Sequence, residues 1–291
     1  MPTITGVTKD RQLLGLPAPI WLWPNLLGLD APLVAVSWQL LYSRCFDVDI
    51  PPAIHLLLGL SVWCVYLADR LYDVYRTEDF SSVTWRLRFT KQHFTSLAVT
   101  TALAGAVNLF LIVYFVPMHL LIHGLITAGL LAVYYAFRFG SSGKVAALIP
   151  REIMCGMIFA IGSAIATYSY GQPQTTGFRF LGAVAMLGLV CSASCVMISV
   201  WERDADLASG DRSIASARPE ILRCIRRLLL PLIVLYGFVA ISDPWQIHIA
   251  VGLSALALYL MARFEERFSP TLLRTLADAV LLTPLLFLPF A

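Results

Sequence analysis

Charged residues are scarce in this sequence. Only 13% of the 291 residues are Asp, Glu, Lys or Arg, whereas 58% are hydrophobic, and the mean hydropathy is +0.76. Soluble globular domains contain about a quarter charged residues. This composition therefore excludes an ordinary soluble domain and indicates an integral membrane protein. The net charge of +3 gives no indication of nucleic-acid binding, and no nucleic-acid partner is expected.

Closely paired cysteines and internal repeats are also lacking. The six cysteines are dispersed, mostly within apolar runs, and no two of them form a CxxC pair. The spacing therefore predicts neither a disulfide framework nor a cysteine-based metal site. Because no low-complexity tract or long polar domain interrupts the chain, residues 1–291 are predicted to form a single transmembrane domain.

Long apolar runs are what the sequence does contain. About 20 apolar residues are needed for a helix to cross a bilayer, and turn-forming residues separate segments of roughly this length. The predicted fold is an all-α integral membrane protein with nine transmembrane helices. The predicted spans are 22–43, 52–74, 94–115, 118–137, 146–169, 178–201, 221–242, 246–263 and 271–290.

Lysine and arginine predict the orientation of these spans. If the spans alternate in direction, all 21 basic residues except Arg44 and Arg179 lie nearer the side that holds the N-terminus. Basic residues are enriched in cytoplasmic loops. We therefore expect the N-terminus in the cytoplasm and the C-terminus on the opposite side, across the inner membrane if the host is a bacterium.

Two pairs of acidic residues stand at the predicted cytoplasmic ends of spans 2 and 6. Asp69 and Asp73 belong to "LADRLYDVYR", and Glu202 and Asp206 belong to "ERDADLASG". Members of each pair are four residues apart and share one helix face, where like charges repel. Either nearby arginines neutralise them, or they bind a divalent cation such as Mg²⁺, which prefers carboxylate oxygens. We predict the cation site; the arginines available for the alternative are Arg70, Arg76, Arg203 and Arg212.

Further ionisable residues lie inside predicted spans. Asp30 is in span 1, Arg151 and Glu152 are in span 5, and Asp278 is in span 9. At 1.5 Å of rise per residue, each lies about 10 Å from the cytoplasmic end of its helix. Ionisable groups at such depth usually face a cavity or one another. The pattern predicts a polar chamber open to the cytoplasmic side, with simple salt bridges between helices as the alternative.

Both acidic motifs have counterparts in a known family. Residues 65–73, "VYLADRLYD", follow the pattern NDxxDxxxD, with Val65 and Tyr66 in place of Asn and Asp. Residues 202–210, "ERDADLASG", follow the pattern DxxxDxxxG, with Glu202 in the first position. On spans 2 and 6 of a nine-span chain, these motifs resemble those of the UbiA superfamily of intramembrane prenyltransferases, which also contains UbiA-type terpene cyclases.

The resemblance implies an isoprenoid diphosphate as substrate and Mg²⁺ as cofactor. The residues it implies for catalysis and metal binding are Asp69, Asp73, Glu202 and Asp206. Those expected to bind the remaining diphosphate oxygens are Arg76, Lys144, Arg203 and Arg212. The candidate chamber residues are Asp30, Tyr66, Tyr72, Glu152 and Asp278.

Three functions are compatible with these residues. The first is transfer of the prenyl group to a lipophilic, aromatic acceptor, which is the commoner activity in the superfamily and the one we predict. The second is cyclisation of the isoprenoid diphosphate by its own double bonds to give a terpene. The third is a proton-coupled transporter that uses the same buried acids, for which broken helices would be expected.

Overall fold

A computed structural model describes residues 18–77, 84–140, 151–208, 213–217, 220–239 and 244–291. Within these ranges the chain forms α-helices and 3₁₀ turns, and no strand is found there. Among the described residues, seven helices are long and apolar enough to cross a membrane, or up to eight if one bent helix pair counts as a single span. The prediction of an all-α, multi-pass membrane protein is confirmed, whereas the number nine stays a prediction.

The first predicted span, 22–43, is broken. A 3₁₀ turn and α1 (Trp23–Leu26) together meet α2 (Asp30–Cys45) at an angle of 79°. Gly28 lies at the break with φ of +70°, a left-handed conformation that glycine adopts without steric cost. A Cβ atom at Gly28 would lie 3.2 Å from Cδ1 of Tyr66. The break is therefore fitted closely against the next long helix.

That helix, α3 (Pro52–Arg76), is the longest in the structure and starts with proline at its first position, where no backbone N–H is needed. The short α4 (Trp85–Gln92) follows, and its N-terminus is capped by the side chain of Thr84. Helices α5 (Phe94–Phe115) and α6 (Met118–Gly140) come next. Most of their large apolar side chains are exposed, as expected for a surface that faces lipid.

Helices α7 (Arg151–Tyr170) and α8 (Phe178–Trp201) make the most extensive contact of the helix pairs in the described residues. A Cβ atom at Gly156 of α7 would lie only 2.2 Å from the backbone N of Ser192 on α8. Small residues at such a contact allow two membrane helices to approach closely. The main hydrophobic core surrounds this pair and includes Trp38, Tyr42, Leu187, Met197 and Leu258.

The rest of the chain contains two short helices and three longer ones. These are α9 (Arg203–Ala208), α10 (Ile214–Ala217), α11 (Ile221–Val239), α12 (Trp245–Arg263) and α13 (Pro270–Ala279). The chain continues beyond α13 in 3₁₀ turns and reaches Phe290 as one apolar segment. Helix α13 packs against α8, which brings polar residues at the end of α8 close to polar residues of α13.

The remaining predicted boundaries agree with the helices to within a few residues, and residues 146–150 of the fifth span lie outside the described part. Predicted span 221–242 corresponds to α11, which is helical but is not one of the candidate spans found among the described residues, and residues 240–242 lie outside them. Three arginines lie near its start, Arg223, Arg226 and Arg227. Its assignment as a span stays a prediction.

Candidate functional site

The ends of α3, α8 and α13 meet through one arginine. Nη1 of Arg274 on α13 donates a hydrogen bond to Oε2 of Glu202, directly after α8. Nη2 of Arg274 also lies 3.5 Å from the hydroxyl oxygen of Tyr66 on α3. Nη2 of Arg86 on α4 lies 3.9 Å from the same Glu202 oxygen. A largely buried ion pair thus joins the end of α8 to α13, and Arg274 extends the contact to Tyr66, three residues before Asp69 on α3.

Asp30 lies beside the break in the first span, and its carboxyl group accepts two hydrogen bonds. Nδ2 of Asn25 donates to its Oδ2 over 2.6 Å, and the backbone N of Ala31 donates to its Oδ1 over 3.0 Å. Helix α2 also packs against α13, and the carboxyl groups of Asp30 and Asp278 lie close enough to interact electrostatically. The break in the first span therefore lies close to α13.

Arg70 is 2% exposed and lies between the two acids of the first motif in sequence. Its Nη1 donates to the carbonyl oxygen of Leu26 over 3.0 Å, while Nε1 of Trp63 donates to that of Leu27 over 2.9 Å. Two carbonyl groups freed by the break are thus hydrogen-bonded by α3, as a buried helix end requires. The Arg70 guanidinium carbon also lies 4.3 Å from the centre of the Tyr66 ring.

These residues form what we call the charged cluster. It consists of Asp30, Tyr66, Arg70, Arg86, Glu202, Arg274 and Asp278. It contains three of the candidate chamber residues, Asp30, Tyr66 and Asp278, together with Glu202 of the second motif. The structure brings these four together from four different parts of the chain, but no enclosed chamber is established by this.

A second group of charges surrounds Arg151 at the start of α7. Its Nε donates to Oε1 of Glu152 over 3.3 Å, and its Nη2 lies 3.8 Å from Oδ2 of Asp206. The same Glu152 oxygen accepts a hydrogen bond from the backbone N of Ile214 over 3.0 Å. Glu152 therefore holds the short helix α10 against α7, which is a structural role that the sequence did not predict.

The other predicted site residues are dispersed. Tyr72 lies under the guanidinium group of Arg76, with 5.8 Å from its carbon to the ring centre. Nε of Arg203 is buried and hydrogen-bonds to no atom of the described residues. Asp69 and Asp73 are half-buried on the last two turns of α3. Two predicted diphosphate ligands, Lys144 and Arg212, lie outside the described residues.

The predicted Mg²⁺ ligands fit a metal ion only in part. Carboxylates are the right donors, but no group of three or more His, Cys, Asp or Glu residues that could hold a metal occurs in the described ranges. Glu202 and Asp206 have arginine partners, Arg274 and Arg151, so both would have to exchange an arginine for the ion. Metal binding by the four acids stays a prediction.

Sequence reasoning missed three partners of residues in the charged cluster. Arg274 could have been found, because it lies four residues before Asp278 and therefore shares its helix face. Asn25 is five residues before Asp30, but its contact exists only because the helix breaks between them. No sequence signal pairs Arg86 with Glu202.

Comparison with known proteins leaves the family open. No protein-family model matches the chain, and no curated protein matches it either. Membership of the UbiA superfamily is accordingly a proposal that depends on the two motifs and the order of the helices.

Proposed function

We propose that this protein is a Mg²⁺-dependent membrane enzyme that ionises an isoprenoid diphosphate and transfers the prenyl group to a lipophilic, aromatic acceptor. The observation that carries the proposal is the position of Arg274 between Tyr66 and Glu202. Tyr66 lies three residues before Asp69, and Glu202 begins the second motif, so this contact supports a position of both acidic motifs at one polar end of the helix bundle. This is the arrangement that the resemblance to the UbiA superfamily implies.

The residues at this end of the bundle are suited to bind a substrate with an anionic diphosphate head and an apolar isoprenoid tail. Guanidinium groups match the geometry of phosphate oxygens, and Arg76 and Arg203 are the proposed ligands among the described residues. Asp69 and Asp73 would hold Mg²⁺, which supplies neutralising charge as the allylic C–O bond breaks. The apolar helices around this end provide a hydrocarbon environment for the isoprenoid tail.

The aromatic residues near the cluster support the same proposal. Tyr66 and Tyr72 already lie against guanidinium groups, Arg70 and Arg76 respectively. An aromatic face attracts a desolvated cation by up to about 2 kcal/mol. The two rings are therefore suited to stabilise the positive charge that remains on the allylic group after the diphosphate leaves.

The test is diphosphate release by purified protein supplied with farnesyl or geranylgeranyl diphosphate and Mg²⁺. We expect release by the wild type and its loss in Asp69→Asn and Asp73→Asn, each shown to be folded by size-exclusion chromatography. Asp49→Asn is the matched control, because Asp49 is exposed in the loop between α2 and α3. Absence of release with every isoprenoid diphosphate would refute the proposal.

Product analysis separates the two enzymatic outcomes. Incubation with a panel of phenols, including a hydroxybenzoate and a dihydroxynaphthoate, is expected to give prenylated aromatic products. Cyclic hydrocarbons or alcohols formed without any acceptor would identify a terpene cyclase instead.

A proton-coupled carrier is the second candidate, and the break in the first span favours it. Broken helices whose carbonyl groups line a binding site are a feature of transporters, and the break here lies beside the buried Asp30. In sealed vesicles with an imposed pH gradient, a carrier would dissipate the gradient when its substrate is added. An enzyme would consume the substrate and leave the gradient intact.

A further inference from the structure

The chain before the break in the first span lies across that span instead of continuing it. Residues Ile20–Leu26 meet α2 (Asp30–Cys45) at 79°. Helix α2 has 16 residues and is therefore about 24 Å long, which is most of the thickness of a bilayer core. With α2 across the bilayer, residues Ile20–Leu26 run nearly parallel to the membrane surface. We call these residues the in-plane segment.

The side chains that the in-plane segment exposes are apolar. Ile20 is 88% exposed, and Trp21 and Trp23 are 44% and 43% exposed. The buried residues of the segment are Leu22, Asn25 and Leu26. An in-plane helix with one apolar face inserts that face into the boundary between lipid headgroups and acyl chains, and tryptophan is enriched at this boundary. The exposed face therefore fits the surface of a lipid leaflet.

Helix α4 (Trp85–Gln92) adds positive charge beside the in-plane segment. The ring of Trp23 meets that of Phe89 on α4 edge to face, with 5.9 Å between the ring centres. Arg88 and Lys91 of α4 are exposed, and α4 contains no Asp or Glu. Basic side chains beside a membrane attract anionic lipid headgroups. The apolar face and the positive charge thus belong to two elements that touch each other.

We propose that the in-plane segment and α4 form a docking surface for a lipid leaflet that contains anionic phospholipids. Trp21 and Trp23 lie at the boundary between headgroups and acyl chains, and Arg88 and Lys91 attract the phosphate groups beside them. Charge complementarity selects lipid as the occupant over a second copy of the chain. In a dimer with two-fold symmetry each copy presents the same patch to the other, so the two basic helices would repel.

The docking surface is joined directly to the first acidic motif. Nη1 of Arg70 donates to the carbonyl oxygen of Leu26, and Nε1 of Trp63 donates to that of Leu27. Arg70 follows Asp69 in the sequence. The depth of the in-plane segment in the leaflet therefore sets the depth at which α3 presents this motif. The docking surface itself does not depend on the proposed function.

Fluorescence quenching by brominated phospholipids tests the depth of the in-plane segment. The sequence contains seven tryptophans, so the signal of the segment is the difference between the wild type and the double variant Trp21→Phe with Trp23→Phe. Both proteins are reconstituted in vesicles of phosphatidylcholine and phosphatidylglycerol, with unbrominated vesicles as the reference. We expect bromine near the headgroup end of the acyl chain to quench this difference signal more strongly than bromine near the methyl end.

Each other result of the quenching experiment would overturn the proposal. Stronger quenching by bromine near the methyl end would show that the segment enters the centre of the bilayer as part of a span. Absence of quenching by either lipid would show that another protein surface, such as a second copy of the chain, covers the segment.

The contribution of α4 is tested by lipid binding, measured by native mass spectrometry of the purified protein. We expect the wild type to bind phosphatidylglycerol more tightly than phosphatidylcholine. Arg88→Gln with Lys91→Gln should weaken the binding of phosphatidylglycerol by about 30-fold and leave that of phosphatidylcholine unchanged. Arg88→Lys with Lys91→Arg is the matched control, because it keeps both charges and should bind as the wild type does. A preference for phosphatidylglycerol that survives in the glutamine variant would overturn the assignment of the surface to α4.

Discussion

Arg274 donates a hydrogen bond to Glu202, and the side chains of both residues are about nine-tenths buried. Removal of one partner from a buried ion pair costs about 3 to 5 kcal/mol, because the other charge is left uncompensated. We expect Arg274→Leu to lower the free energy of unfolding by this amount. Unfolding in detergent, followed by circular dichroism, measures the loss.

The double variant provides the internal control for this ion pair. Replacement of both partners by apolar residues is often neutral, so Arg274→Leu with Glu202→Leu should recover most of the lost stability. Arg179→Leu, at an exposed position outside the cluster, should have little effect. A double variant less stable than Arg274→Leu alone would contradict the pairing.

The left-handed backbone at Gly28 predicts that replacement by alanine lowers stability more at this position than at a glycine inside a regular helix. Gly28→Ala forces a left-handed backbone on a residue with a Cβ, costing about 1 to 2 kcal/mol, and brings that atom to 3.3 Å from Cδ2 of Leu67. A lower melting temperature in detergent is expected. Gly162→Ala on α7 is the matched control, because its Cβ would meet nothing within 4 Å. Equal melting temperatures for the two variants would be inconsistent with this geometry.

The contact between α7 and α8 predicts a larger effect at Gly156. Gly156→Ala places a Cβ 2.2 Å from the backbone N and 2.5 Å from the Cα of Ser192, so the two helices must separate. Overpacking of this kind typically costs about 1 to 3 kcal/mol and occasionally more. We expect little monodisperse protein after extraction, measured by size-exclusion chromatography, while Gly182→Ala, also in open space, elutes as the wild type does.

The carboxyl group of Glu265, in the turn between α12 and α13, is expected to make the stability of the protein depend on pH. Burial raises the pKa of its carboxyl group above the usual 4.5, although the hydrogen bond from Trp201 and the nearby Arg226 act to lower it. Because the folded pKa is the higher one, the stabilisation of the protonated group is complete below pH 4.5 and is lost as the pH rises through the raised pKa.

Trp201 reports this ionisation, since its Nε1 donates to Oε2 of Glu265 over 2.9 Å. We expect its fluorescence to titrate above pH 4.5 in the wild type and to stay constant in Glu265→Gln. Trp201→Phe identifies the contribution of this one tryptophan. A titration that survives in Glu265→Gln would assign the signal to another group.

The distribution of Lys and Arg predicts the position of both termini. With the N-terminus in the cytoplasm and nine spans, alkaline phosphatase fused after Ala291 should be active in a bacterial host, while a green fluorescent protein there should be dark. The same reporters fused after Thr77, at the end of α3, should give the opposite result. Fluorescence after Ala291 would show that the number of spans is even or that the orientation is reversed.

The helices could be predicted from sequence because their signals are local. Apolar runs of sufficient length, bounded at one end by proline or glycine, identified α3, α5 and α8 to within a few residues. The break at Gly28 could not be predicted, since glycine is common in membrane helices. The break is stabilised by Trp63 and Arg70, whose side chains donate hydrogen bonds to the released carbonyl groups.

The candidate site was predictable in its residue types and less so in its partners. Charges inside apolar runs singled out Asp30 and Asp278, which the structure places together. The pairing of Glu202 with Arg274, 72 residues later, depends on how α8 and α13 pack. Helix packing of this kind has no local sequence signal. The sequence therefore did not show whether the acids of the second motif bind a metal ion or pair with arginines.

The bent first span has a consequence for the order in which the protein is assembled. The carbonyl groups of Leu27 and Leu26 are hydrogen-bonded by side chains 36 and 44 residues later in the chain. During synthesis the N-terminal segment therefore leaves the ribosome well before the groups that satisfy its backbone. The broken span is not fully hydrogen-bonded until α3 has followed it, so insertion of the broken span and of α3 is expected to be a joint event.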